Sequence, residues 1–256
     1  VLRTANVIAC EDTRVTGKLK SEFGLTAQLI PYHEHNADRA TPALIERLNS
    51  GETVALVSDA GTPLVSDPGY RLVNAALNSD IKVIPVPGAS APLAALSVSG
   101  LPTDRFMFEG FLPNKSAARR KALEQAATVQ ATLVFFESAK RLAKSLADMA
   151  DLLGNRDAVI AREITKRFEE MTRGSLGSLA AQFETAPAPK GEVTIVVGPP
   201  GETAAPSEVK IDGLLQEALI RLSVKDAASA VASSTGLPRR PLYQRALQLQ
   251  SEDGVG

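Results

Sequence analysis

Residues able to bind a ligand concentrate in the segment 57–71, VSDAGTPLVSDPGYR. An apolar run ends there in the turn SDAGTP, and a second turn, SDPG, opens the next segment. Ligands of open α/β sheets bind at such carboxyl ends of strands, and Gly61 lets the backbone approach a ligand closely. Ser66 or Asp67 is suited to cap a helix that begins at Pro68. A tight strand-to-helix turn without a ligand is the alternative, since neither GxGxxG nor a Walker lysine is present.

A second turn of the same kind, PGASAP at residues 87–92, follows the apolar run IKVIPV. Gly88 again permits close approach, and Ser90 is placed to cap a helix. If the strands before the two turns are neighbours, both turns line one crevice. Their exposed amides can then hold a carboxylate or an adenine edge.

Other polar residues follow strand candidates without an evident structural need, and together they predict a polar cleft. They are Glu11, Asp12, Thr13, Arg14, Glu137, Arg162, Glu163, Thr165 and Lys166. Surface or salt-bridge positions are the alternative for each one. The two histidines, His33 and His35, flank Glu34 in a loop without a cysteine or a third histidine, so no metal site is predicted.

Short β-branched runs alternate with longer amphipathic stretches, which predicts an α/β fold with mainly parallel pairing. The strand candidates are residues 6–9, 53–58, 82–86, 106–111, 132–136, 158–163, 168–174 and 193–198. Thr41 and Pro42 fit a helix start and Gly51 a helix stop, while Ser138 is suited to cap a helix over 139–153.

Shifts in composition divide the chain into an N-terminal α/β domain (1–112), a second α/β domain (113–199), a Pro- and Gly-rich linker (200–209) and a C-terminal helical unit (210–256). The last unit has three helical segments, 211–222, 224–233 and 238–250, which resemble a helix-turn-helix. It is locally basic, and a solvated cap that only packs on a neighbour is the alternative.

The composition is that of a globular protein: 256 residues, 44% hydrophobic, 22% charged and a net charge of −1. Cys10 is the single cysteine, which excludes an internal disulfide and a cysteine metal cluster and fits a cytoplasmic protein. No apolar run is long enough to span a membrane. The sequence opens at Val1 with no strand ahead of the first segment, so we expect the natural chain to begin earlier.

Several motifs in fixed order resemble the RsmI-type branch of the tetrapyrrole methylase family over nearly the whole chain. They are EDTR (11–14), HEHN (33–36), SDAGTPLVSDPG (58–69), PGASA (87–91), GLPTDRFMFEGFLP (100–113), FFES (135–138), AREITK (161–166) and KGEVTIVVG (190–198). That branch methylates the ribose 2′-oxygen of a cytidine in small-subunit (16S) ribosomal RNA. Its pattern begins with a strand and a TPIGNL-like loop that are not part of this sequence.

The resemblance implies a two-domain tetrapyrrole-methylase-like fold, with S-adenosylmethionine in the cleft between the domains, a homodimer and a C-terminal helical unit that assists RNA binding. The positions implied to contact the methyl donor are Ala60, Gly61, Thr62 and Val65 in the first turn, Ser90 and Ala91 in the second, and Phe136, Ile164 and Glu192 on the other side.

Catalytic candidates are the polar residues that can take the ribose proton or bind the ribose, namely Asp12, Arg14, Glu109, Glu163 and Lys166. Candidates for phosphate contacts with small-subunit RNA are Lys115, Arg119, Arg120, Lys121, Arg239, Arg240 and Arg245. Two alternatives remain at this point. One is a C-methyltransferase of precorrin or uroporphyrinogen, and the other is a non-catalytic nucleic-acid-binding module.

Overall fold

The computed structural model describes residues 1–201, 208–235 and 237–253. The chain divides into two compact units, Val1–Pro199 and Pro200–Gly256. Most of the predicted linker, residues 202–207, lies outside the described residues, as does Gly236 in the predicted turn before the last helix. The further division of the first unit at residue 112 remains a prediction.

The first unit begins with a three-stranded parallel sheet. Its elements are β1 (Val7–Cys10), α1 (Thr13–Glu22), β2 (Gln28–Pro31), α2 (Ala37–Asn49), β3 (Val54–Val57) and α3 (Tyr70–Asn78). The strand order is β2-β1-β3, and Cys10 aligns with both Pro31 and Val57. The carboxyl ends of the three strands are therefore level, so the segments that follow them begin at one edge of the sheet.

A five-stranded mixed sheet completes this unit. Its elements are α4 (Ala91–Ser99), β4 (Phe106–Phe111), α5 (Ser116–Ala126), β5 (Thr132–Ser138), α6 (Leu142–Leu153), β6 (Asp157–Arg162), β7 (Glu170–Ser175), α7 (Leu176–Thr185) and β8 (Glu192–Val197). The order is β4-β5-β8-β6-β7, and only β4 and β5 are parallel. The α/β class is confirmed. The expectation of mainly parallel pairing is wrong for this sheet, because β8 inserts antiparallel between β5 and β6 and the short β6–β7 connection makes that pair antiparallel as well.

Alternation along β5 gives the second sheet two covered faces. Val134 packs with Ala95 and Leu96 of α4 in one cluster. Its neighbour Phe135 points to the other face and packs with residues of α5, α6 and α7, including Leu146. Helix α4 thus connects the turn at 87–91 directly to the second sheet.

The predicted strand at residues 82–86 is not formed. Strand β3 pairs with β1 alone among the described strands, and Ile84 and Val86 are 67% and 61% exposed. An apolar β-branched run forms a strand only where a neighbour supplies hydrogen bonds. The short strand β2 was missed for the opposite reason, since it ends in Pro31 and gains its structure from pairing with β1.

Several predicted helix boundaries shift as well. Helix α2 starts at Ala37, so Pro42 lies inside it and Thr41 does not cap it. Helix α3 begins at Tyr70 rather than at Pro68, and α6 begins at Leu142 rather than directly after Ser138. The residues that precede these helices, Asn36, Gly69 and Arg141, make no side-chain capping bond, so the predicted caps are wrong here.

The second unit consists of α8 (Glu208–Leu219), α9 (Val224–Thr235) and α10 (Arg239–Asp253). Its core is built from buried residues of all three helices: Leu215, Ala228, Val231, Leu242, Ala246 and Leu249. Across the part of the chain that the structure describes, no helix has the length and apolar character needed to cross a membrane.

Candidate active site

The two glycine-bearing turns meet in the structure. The Thr62 hydroxyl donates to the Ala89 carbonyl at 2.8 Å, which joins the turn after β3 to the turn before α4. Gly61 is exposed, and a Cβ built on it would meet only the Ala89 carbonyl, at 3.9 Å. The amides of Ala60, Gly61 and Ala89 donate to no group in the described part of the chain. This junction therefore presents free donors to a ligand.

The other residues of these turns that are predicted to contact the methyl donor are Val65, Ser90 and Ala91, and they differ in role. The Val65 amide donates to the Thr62 carbonyl at 3.3 Å and closes a turn. Ser90 is the residue before α4, as predicted, but its side chain makes no capping bond to the helix. Ala91 is the first residue of α4.

The loop after β3 holds an unusual backbone. Gly61, Leu64, Ser66 and Gly69 all have positive φ, with values of 73°, 73°, 63° and 143°. A Cβ on Gly69 would lie 2.7 Å from the Leu56 side chain, so glycine is required there. Non-glycine residues adopt such φ values only where the surroundings enforce them, and they cluster at functional sites.

This loop also reaches the second sheet. Strand β4 has a bulge at Glu109, with a register shift between Phe108 and Gly110. Gly110 has φ +67°, and the Ser66 hydroxyl lies 3.0 Å from the place that a Cβ would take there. The bulge therefore brings Glu109 next to the loop that carries the turn SDAGTP.

Glu109 differs from the other catalytic candidates in its surroundings. It is half-buried, and among the described residues its carboxylate has no hydrogen-bond or ion-pair partner. Burial raises the pKa of Glu109 above its usual range. A carboxylate in this state is a better proton acceptor than an ion-paired one.

Phe136 and Ile164 form apolar parts of the second sheet. The Phe136 ring stands edge-on to Phe108, with centroids 5.0 Å apart, and contacts Phe111 at 5.3 Å. Ile164 packs against the cluster that includes Ala95 of α4. Phe136 thus lies on the sheet that carries Glu109, and Ile164 lies two residues after strand β6 of that sheet.

Glu163, Lys166 and Glu192 form one ion-paired group at the ends of β6 and β8. The Lys166 ammonium lies 3.0 Å from a Glu163 oxygen and 2.9 Å from a Glu192 oxygen. The Glu163 carboxylate also accepts the Glu192 amide at 2.9 Å. These contacts, led by the Glu192 amide, lower the pKa of Glu163 and make it a weak base. Hydrogen bonds to Glu192 and Glu163 raise the pKa of Lys166, which therefore stays protonated.

Asp12 and Arg14 are occupied with each other at the start of α1. The Asp12 carboxylate accepts the Arg14 amide at 2.8 Å and the Arg14 guanidinium at 2.6 Å. These bonds lower the pKa of Asp12 to about 2. The structure therefore gives Asp12 a helix-capping role, which makes it a poor base. The Asp12 amide contacts the Asp59 carboxylate at 3.3 Å.

Three acidic residues, Glu11, Asp59 and Asp67, lie together after β1 and β3. Of these, the sequence predicted only Glu11 as part of a polar cleft. Burial raises the pKa of Glu11, and the charges of Asp67 and Asp59 raise it further. Burial also raises the pKa of Asp67, and Asp59 adds to the effect. The sequence singled out Asp67 as a helix cap instead. Its place beside Glu11 follows from the parallel pairing of β1 with β3, which no local signal gives.

Two arginines of α5 that are predicted to contact RNA form ion pairs with α6. Arg119 is 5% exposed and pairs with Asp148 of α6 at 2.7 Å. Arg120 pairs with Asp148 at 3.0 Å and with Asp151 at 2.5 Å. These ion pairs hold α5 against α6, and the RNA contacts of Arg119 and Arg120 remain predictions. Lys115 and Lys121 are exposed at the two ends of this segment.

The histidines form no metal site in the described residues. The rings of His33 and His35 lie 6.1 Å apart, and no cluster of three or more His, Cys, Asp or Glu residues is placed to hold a metal ion.

Two sheets joined through the glycine-bearing turn after β3 and the turn before α4 define an α/β fold, and a profile of the tetrapyrrole (corrin/porphyrin) methylases matches residues 1–180. The chain belongs to this family, which confirms the prediction of a methyltransferase. A profile of the RsmI C-terminal HTH domain matches residues 205–250.

The relatives are similar over most of their length. The ribosomal RNA small subunit methyltransferase I of Mesorhizobium japonicum is 50% identical over 100% of this chain and 87% of that protein. The protein of the same name from Escherichia coli O157:H7 is 42% identical over 98% of this chain and 88% of its own length. The crystal structure of a diphthine synthase, at 17% identity, superposes with a TM-score of 0.59 over 77% of this chain and 81% of that one, which shows the shared fold.

Proposed function

We propose that this protein transfers a methyl group from S-adenosylmethionine to the ribose 2′-oxygen of a cytidine in small-subunit (16S) ribosomal RNA. The relatives at 42–50% identity carry the name of that enzyme class, which supports the proposal. The observation that carries it in this chain is the loop after β3. That loop contacts the turn before α4 through Thr62 and the bulge beside Glu109 through Ser66.

The residues at this junction fit S-adenosylmethionine. The unengaged amides of Ala60, Gly61 and Ala89 are suited to its carboxylate and adenine edge, and Gly61 leaves the approach open. Thr62, Val65, Ser90 and Ala91 complete the two turns, and Phe136 and Ile164 give apolar surface on the second sheet. When bound, the donor supplies a methyl group activated by a positively charged sulfonium. The acidic group of Glu11, Asp59 and Asp67 favours a cation at this edge.

The protein's part in the reaction is to orient the reactants and to remove a proton. Methyl transfer is an in-line displacement, so the cleft accelerates it chiefly by fixing the attacking oxygen opposite the leaving sulfur. The ribose hydroxyl must lose its proton as its oxygen bonds to the methyl carbon. We assign the acceptance of this proton to Glu109, because it is the candidate with a raised pKa and without an ion-pair partner among the described residues.

The other catalytic candidates take supporting roles in this proposal. Lys166 and Glu163 fix Glu192 at the start of β8, and we assign Glu192 to the donor-facing side of the cleft. Arg14, whose side chain is 88% exposed, pairs with Asp12 and contributes positive charge where the RNA backbone approaches.

The experiment is transfer of labelled methyl groups to small ribosomal subunits that lack their natural 2′-O-methyl marks, followed by nuclease mapping. Label on a cytidine ribose is the expected result. Glu109→Gln should abolish transfer, whereas Glu124→Gln, an exposed glutamate on α5, should leave it unchanged. Label in uroporphyrinogen and none in the subunits would reject the proposal.

The homodimer and the cytoplasmic location belong to the same proposal. Strand β4 is an edge strand of its sheet, and Phe106 and Met107 on it are 44% and 41% exposed. An open apolar edge of this kind supports pairing with a second copy. Sedimentation of the full chain should give twice the mass of the 27.0 kDa protomer. A ribosomal substrate supports the cytoplasmic location.

A further inference from the structure

A cleft in the C-terminal unit lies between the beginning of α9 and the first turns of α10. It is lined by Lys225, Arg239, Arg240 and Tyr243 and has a volume of about 430 Å³. A volume of this size is within the range of sites for small organic groups. All four lining residues are exposed, so the cleft is accessible from solvent.

The helix geometry brings these side chains together. Arg239 and Arg240 precede Tyr243 by four and three residues, so all three lie on one face of α10. Lys225 comes from the first turn of α9, and the Arg239 guanidinium donates to its carbonyl oxygen at 3.5 Å. The buried contacts of Ala228 with the α10 side of the core hold the two helices in this arrangement.

The cleft concentrates positive charge that the described residues do not neutralise. Lys225, Arg239 and Arg240 have no carboxylate within 4 Å in the part of the chain that the structure describes. Asp226, the neighbouring acid, contacts the Ser223 hydroxyl at 2.7 Å at the start of α9. Like charges this close repel one another, so an anionic ligand would be stabilised here.

Arg245 provides the contrast within the same helix. Its guanidinium binds both oxygens of Asp212, at 2.6 and 2.7 Å, and joins α10 to α8. Of the three arginines predicted to contact RNA in this unit, one therefore has a structural partner. The two others, Arg239 and Arg240, line the cleft with Tyr243, which is 39% exposed.

We propose that this cleft binds one nucleotide of a single-stranded RNA segment, with its base stacked on Tyr243 and its phosphates held by Lys225, Arg239 and Arg240. An aromatic face beside cations is the combination that binds unpaired bases together with their backbone. The choice of RNA as the anion rests on the proposed function. The cleft adds to that function a contact with unpaired RNA that is separate from methyl transfer.

The test is equilibrium binding of the full chain to a fluorescently labelled single-stranded RNA 12-mer and to a duplex RNA of equal length. Tyr243→Leu should weaken single-strand binding at least about fivefold, which corresponds to the lower range of one base stack. Tyr243→Phe keeps the ring and should bind as the unchanged protein does. Phe23→Leu removes an aromatic ring that is 52% exposed in the first unit and serves as the matched control.

The cations are tested through salt dependence. Arg239→Gln or Arg240→Gln should reduce the slope of log affinity against log salt by about 0.7 for each phosphate that is no longer neutralised. Tyr243→Leu should leave that slope unchanged, as should Arg221→Gln, an exposed arginine outside the cleft. Circular dichroism of each variant verifies that the helices are intact.

Three results would overturn the proposal: Tyr243→Leu binding single-stranded RNA like Phe23→Leu, an unchanged salt slope in both arginine variants, or equal competition by polyglutamate. Methyl transfer is measured separately on the same variants. Subunit methylation without a Tyr243 effect on RNA binding rejects only the cleft. A Tyr243 effect without any methylation rejects only the proposed function.

Discussion

The hydroxyl of Ser66 lies 3.0 Å from the position that a Cβ of Gly110 would occupy. Ser66 belongs to the loop after the first sheet, and Gly110 belongs to the bulge of the second, so this close approach joins the two halves of the candidate site. Both residues have positive φ, at 63° and 67°. The site therefore depends on the left-handed backbone of Ser66 and on the absence of a side chain at Gly110.

Replacing Gly110 by alanine tests this contact. Gly110→Ala should cost about 1 kcal/mol for the left-handed backbone alone and more for the clash with Ser66, and methyl transfer should fall. Gly100→Ala is the control, because Gly100 also has positive φ, at 77°, but open space around its Cβ position. Ser66→Ala should partly restore the Gly110→Ala variant. Equal melting temperatures for the two glycine variants would contradict the prediction.

The assignment of the proton acceptor to Glu109 predicts a pH dependence. Burial raises the pKa of this carboxyl, and only the ionised form accepts a proton. Methyl transfer should therefore decline on the acid side with a midpoint above the ordinary pKa of a glutamate, measured as kcat between pH 4 and 9. A profile that stays flat down to pH 4.5 would argue against Glu109.

Glu109→Gln should change stability and activity in opposite directions. A raised folded-state pKa means that the ionised Glu109 weakens the native state, and this effect grows as pH rises above the unfolded pKa. Glu109→Gln removes that charge, so its melting temperature at pH 8 should equal or exceed that of the unchanged protein while transfer is lost. A variant that is both inactive and destabilised would indicate a structural role instead.

Glu137 is the buried charge that holds the connection between β4 and α5. Its side chain is fully buried and accepts from Arg141 and Ser145, and Arg141 also donates to the Leu112 carbonyl at 3.0 Å. Arg141→Ala would leave the carboxylate unpaired, which should lower the free energy of unfolding by about 3 kcal/mol. Glu137→Gln combined with Arg141→Ala should cost less than the sum of the two. Additive losses in urea titrations would show that the two residues act independently.

Gly191 makes room for the Glu163 carboxylate. Its φ is +99°, and a Cβ there would overlap a Glu163 oxygen. Gly191→Ala should displace Glu163 from the Glu192 amide and from Lys166, and should weaken donor binding measured by calorimetry. Glu163→Gln keeps an acceptor oxygen in place and should bind the donor more tightly than Gly191→Ala does. Unchanged affinity in both variants would remove Glu192 from the donor site.

The sequence alone determined the α/β class, seven of the eight observed strands and the turns that carry the site. These features follow from local causes: the alternation of β-branched and amphipathic runs, and glycines such as Gly51 and Gly154, which adopt the positive φ of helix ends. The ordered motifs also identified the family, because several short motifs in a fixed order distinguish one family from another better than composition does.

Tertiary structure decided which of the candidate residues are available for chemistry. By residue type, Asp12 could be a base, and Arg119 and Arg245 could contact phosphates. Each of them instead forms an ion pair with another residue of the chain. Residues 82–86 have the composition of a strand but gain no neighbour among the described strands. The contact of Ser66 with Gly110 joins residues far apart in the chain. Pairing, burial and charge neutralisation depend on what lies across the fold, which residue spacing does not encode.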